Sequence, residues 1–141
     1  MTEFSDVASL PRLGRIAVHG GVEYRANGTI GTDRITLFMD RHDWESFRSV
    51  DEVARASSND SMLWVKVERH GISRLFTRRA RAQWSGLEVK ISAVLDTESV
   101  LLEFSGDPKE AQARGMEGSQ YDNWSAVVPF AYLSNTQIIE E

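Results

Sequence analysis

AVHGGVEYRANGTIGTDRITLFM (17–39) and AQWSGLEVKISAVLDTESVLLEF (82–104) lie on one another without a gap when the chain is displaced by 65 residues. Ala17, Gly21, Glu23, Thr32 and Leu37 meet identical residues, and Val22, Arg25, Ile30, Asp33 and Ile35 meet Leu87, Lys90, Leu95, Glu98 and Val100. Self-similarity at a fixed spacing is the mark of a repeated structural unit. Each block reads as three short strands, because apolar and polar residues alternate between turn signals such as Gly20-Gly21.

The segments C-terminal to the two blocks support the repeat. Ser49-Val50-Asp51-Glu52 and Asp107-Pro108-Lys109-Glu110 both have the spacing of a capping box. The second adds Pro at the first helical position and Gly115 past the end. The spacing predicts two-turn helices over 49–56 and 107–114. A polar loop comes after each, SSND (57–60) and EGSQYDN (117–123). A fourth strand is next, with Leu63, Val65 and Val67 alternating in MLWVKVE (62–68) as Trp124, Ala126 and Val128 do in NWSAVV (123–128). Short turns, ERHGI (68–72) and PFAYL (129–133), close both copies.

This order predicts a mainly β chain: two SH3-like small barrels in tandem, each with a short inserted helix, since closing a barrel removes the edges that short strands leave open. The expected divisions are a flexible lead-in (1–13), a first unit (14–76), a second unit (77–135) and a tail (136–141) in which Ile138 and Ile139 can pair as a last strand.

Composition restricts the class further. The chain has 141 residues, 41% hydrophobic and 26% charged, which suits a globular protein with a real core. Cysteine is absent, so disulfides and thiolate metal sites are excluded. The opening MTEFSDVASLPRLGR has no signal-like apolar stretch, and no run approaches the roughly 18 apolar residues of a membrane span. A cytoplasmic protein without membrane attachment is expected.

The net charge of −5 argues against a bulk nucleic-acid binder. Charge is nevertheless uneven: Lys66–Arg81 holds six bases and one acid, whereas 88–141 holds ten acids and three bases. The run Arg78-Arg79-Ala80-Arg81, with Phe76 and Trp84 beside it, makes a nucleic-acid-associated module using residues 74–84 the alternative reading. The plainer reading is an exposed joint whose arginines meet the acidic second half.

Candidate chemistry is sparse. His19, His42 and His70 fall on different elements, and only Asp40-x-His42-Asp43 approaches ligand spacing, in what reads equally well as a charged turn. No G-x-S-x-G elbow occurs, and no histidine is placed by sequence to activate a serine. Neither an enzyme, a metal nor a cofactor is expected. The aromatics say more. Trp44 lies in DRHDWES (40–46), read as a loop, flanked by Asp40, Asp43 and Glu45, and Tyr121-Asp122 sits in the corresponding loop of the second unit. An aromatic among acids in a loop is the composition of an interface hot spot. Trp64, opposite in face to Leu63, Val65 and Val67, is expected to be exposed or packed on the other unit, and Trp84 to make an inter-unit contact or sit at a rim.

G-G-V-E-Y-R-A (20–26), D-R-I-T-L (33–37), A-x-W-x-G-x-E-V (82–89) and G-D-P-x-x-A-x-x-x-G-M (106–116) before Val128-Pro129 form a pattern covering about 14–135. It resembles small actinobacterial proteins, some of them like the immunity proteins encoded beside secreted polymorphic toxins. The resemblance implies a cytosolic inhibitor that binds one toxin and blocks its active site. The partner surface would then be Asp40, Asp43, Trp44, Glu45, Tyr121 and Asp122.

Overall fold

The computed structural model describes residues 7–28, 32–59, 62–119 and 123–141. Among them are ten strands and two short helices, and every strand pairing between named partners is antiparallel. The chain is mainly β. It divides into two compact units, Arg12–Arg78 with Glu141, and Arg79–Glu140 with the segment ending at Pro11.

In the first unit, β1 (Gly14–His19), β2 (Val22–Asn27), β3 (Arg34–Met39), α1 (Arg41–Ser46), β4 (Glu52–Asn59) and β5 (Met62–Glu68) precede a 3-10 turn at Arg69–Gly71 and the beginning of β6 (Arg74–Trp84). The strands lie in the order β4-β5-β3-β2-β1-β6. Alternation puts Ile35, Leu37, Leu63, Val65 and Val67 on the buried face, and Ala17, Ala26, Phe47 and Ile72 complete that core. Burying such side chains contributes about 1.5–3 kcal/mol each for the larger ones.

The second unit repeats the plan. The end of β6, β7 (Leu87–Val94), β8 (Ser99–Phe104), α2 (Pro108–Ala113), β9 (Trp124–Pro129), a 3-10 turn at Phe130–Tyr132 and β10 (Ser134–Glu140) come in order. Its strands run β6-β7-β8-β9, and β10 pairs with β6. Ala111, Met116 and Trp124 form a cluster against which Trp84, Leu87, Phe104 and Ala126 pack. Trp84 is therefore a half-buried core neighbour within its own unit.

The repeat extends to register. Ala17 faces Tyr24 and Ala26 faces Leu37, while Ala82 faces Val89 and Ile91 faces Leu102. Leu37 then faces Val65, and Leu102 faces Ala126. The two opening hairpins also share a turn. Gly20 and Gly21 have φ of 58° and 80°, and Ser85 and Gly86 have 52° and 82°. Positive φ at both central residues fits the twist of flanking strands, and glycine adopts it most readily.

One helix differs from expectation. Asp107 caps α2 by accepting from the Lys109 N–H at 2.9 Å, with Pro108 at the first position, as the sequence predicts. Residues 49–56, by contrast, hold no helix: Glu52–Asn59 is strand β4. Ser49 Oγ does accept a backbone bond, from Asp51 N–H at 3.0 Å, but this closes a tight turn. The first unit's helix is α1, over the segment read as a loop, with Asp40 as its N-cap accepting from Asp43 N–H at 2.8 Å. β4 has no strand counterpart among the described residues of the second unit, where a single Glu117↔Ser125 bridge stands beside β9.

Candidate functional site

α1 gathers four of the six residues expected to meet a partner. Asp40 is tied to the helix as its cap, and Asp43 lies in the first turn, where the helix N-terminus favours a carboxylate. Glu45 points to solvent and pairs loosely with Arg41 at 3.6 Å. Trp44 is half-buried rather than a free loop aromatic. It packs on the first unit's core, and its indole Nε1 donates to the Trp64 carbonyl at 3.1 Å. Arg55 of β4 lies over the Trp44 ring, 5.5 Å from its centre, and donates to the carbonyls of Trp44 and Phe47 at 2.6 and 2.8 Å. Trp64 is itself half-buried within this unit, with Lys66 Nζ 5.7 Å from its ring centre. Tyr121 and Asp122 lie outside the described residues.

Electrostatics stiffen the support beneath α1. Glu52 is held below its usual carboxylate range chiefly by a hydrogen bond from Arg55, whose own pKa is raised in return. Tyr24 meets Phe47 edge-on at 5.9 Å, and its phenol is pushed up by burial and then by the Asp43 charge.

A second constellation comes from residues the sequence did not connect. His19 Nε2 lies 3.0 Å from Ser49 Oγ. Asp51 Oδ2 is 3.5 Å from that hydroxyl and 4.0 Å from the same ring nitrogen of His19, and Asp51 Oδ1 takes a 2.8 Å contact from His70 Nε2. In an acyl-transfer triad the carboxylate orients the base through the opposite ring nitrogen. Here it crowds the nitrogen that the hydroxyl uses, and Ser49 Oγ already receives the Asp51 N–H. The arrangement locks the end of β1, the turn before β4 and the 3-10 turn together. Gly71 is part of the lock, because a Cβ there would overlap the Asp51 carboxylate.

The basic stretch 74–84 divides by role. Arg74 stacks on Phe76, its guanidinium carbon 3.9 Å from the ring centre. Arg78 is buried, forming a two-pronged pair with Glu23 at 2.8 and 2.7 Å and donating to the Arg12 carbonyl at 3.0 Å. Arg79 and Arg81, with Lys90, line an open groove of about 510 Å³ on the second unit. Glu88 and Glu103 share it, 3.5 Å from Arg81 and 4.0 Å from Lys90 respectively.

Among the described residues no group of side chains is arranged to hold a metal ion, and no helix is long and apolar enough to cross a membrane. No family model, curated protein or solved structure matches the chain.

Proposed function

We propose that this chain is a protein-binding inhibitor, an immunity protein that neutralises a secreted bacterial toxin in the cytoplasm by covering its active site. The observation that carries the reading is α1: Asp40, Asp43 and Glu45 face solvent around a Trp44 that Trp64 and Arg55 hold in place. A rigid aromatic among exposed acids suits docking into a basic cleft, with the charges hastening encounter and the ring slowing release. In this reading the two units are SH3-like barrels derived from one ancestral element, and Tyr121 and Asp122 are the second unit's contribution to binding. The resemblance to immunity-like proteins points the same way. The test is to co-express the chain with any secreted-toxin gene found beside its own. A stable complex and surviving cells support the proposal, and unprotected cells with no complex refute it.

The groove bearing Arg79, Arg81 and Lys90 favours the second reading, a nucleic-acid-associated module. Its two carboxylates and the commitment of Arg78 to Glu23 weaken it. Binding to RNA or DNA that falls steeply with salt would favour it over inhibition.

A further inference from the structure

The two ends of the strand order are protected differently. At β9, Glu117 and Ser125 exchange both backbone hydrogen bonds and Pro129 ends the strand, so little of its outer edge can accept another strand. β4, at the other end, pairs with β5 alone among the described residues. Its sequence, EVARASSN, contains no proline and no lysine, the residues that commonly block an edge.

Alternation identifies the backbone groups that face away from β5. Glu68 N–H donates to Asp51 O, and Arg69 N–H donates to Asp33 O. Even-numbered β5 residues therefore bond toward β4, which makes Ala54↔Lys66 and Ala56↔Trp64 the hydrogen-bonded pairs. The N–H and C=O of Arg55 and Ser57 consequently point away from β5. They lie in the regular stretch between two register shifts, at Glu52/Ala54 and Ser57/Asn59.

We infer that β4 is a dimerisation edge whose occupant is β4 of a second copy of this chain, run antiparallel across a twofold axis at Ala56. That register sets Arg55 opposite Ser57 twice, so each pair exchanges both backbone bonds. The alanine on the axis permits the close Cα approach of a non-hydrogen-bonded pair, about 4.5 Å. Self-pairing brings no bare charge against its like, because the Arg55 guanidinium is already bound to Glu52. Val50 and Val53, two of the three large apolar side chains exposed on the described first unit, flank the same edge.

Sedimentation velocity over a concentration series, with amide hydrogen exchange on the same samples, tests this. The expected result is a monomer–dimer equilibrium with a dissociation constant between about 1 μM and 1 mM, and slower exchange at Arg55 and Ser57 as dimer forms. Ser57→Pro removes an outward-facing N–H that the internal ladder does not use, so it should abolish the dimer with unchanged circular dichroism. If that variant misfolds, the exchange measurement on the unmodified chain still decides. A chain monomeric at about 1 mM, or a dimer in which Arg55 and Ser57 exchange as in the monomer, overturns the inference.

Discussion

Leu37 and Leu102 occupy equivalent positions in the two units: both are completely buried, and each lies opposite the residue 11 places before it, Ala26 or Ile91. Truncating either to alanine should cost about 2–5 kcal/mol, the range for a buried leucine. Denaturant titration of the two single variants checks this, and a loss well under about 1 kcal/mol at either site would show that the matched positions differ in packing.

Asp107→Ala should lower stability by about 1 kcal/mol, as loss of an N-cap does. The same change at Asp40 should act on α1 in the same sense, whereas Ser49→Ala should disturb the turn before β4 without unravelling a helix. Exchange rates at the first turns of α1 and α2 in the three variants separate these outcomes.

The Arg78–Glu23 pair predicts a pH dependence of definite sign. Glu23 is held below its ordinary value of 4.5, first by the hydrogen bond from Arg78. Its contribution is complete above that value and is lost as pH falls through the lower value of the folded state. Glu23→Gln should therefore flatten the acid side of the stability profile, leaving a residual slope from Glu52, whose pKa is lowered likewise. An unchanged profile would mean that the pair is immaterial to folding.

Gly71 and Asp51 should be energetically coupled. Gly71→Ala forces the Asp51 carboxylate from its contacts with His70 and Ser49, and removing that carboxylate with Asp51→Ala should relieve much of the penalty. A double-mutant cycle is expected to give a coupling of about 0.5–3 kcal/mol, and additivity would contradict it.

These relationships differ in how far the sequence reveals them. Strand alternation and α2 are legible because they depend on local spacing, and Pro108 and Gly115 reinforce the Asp107 cap. The Ser49-x-x-Glu52 spacing misleads because a serine can satisfy a neighbouring N–H in a turn as well as in a helix. Asp40-x-x-Asp43 carries the cap signal that α1 uses, an acid at the N-cap and another in the first turn. The partial burial of Trp44 depends on Trp64 and Arg55, brought in by β5 and β4. The His19–Ser49–Asp51–His70 lock joins three separate stretches of chain, so no local pattern announces it.

The proposed inhibition through the α1 surface is tested by titrating this protein into any secreted-toxin domain encoded beside its gene and reading the residual activity. Activity should fall linearly to zero at one equivalent, and Asp43→Lys with Glu45→Lys should slow association most at low salt while leaving the fold unchanged. Full toxin activity in excess protein would contradict inhibition itself, and an association rate untouched by both charge reversals would show that α1 is not the inhibitory surface.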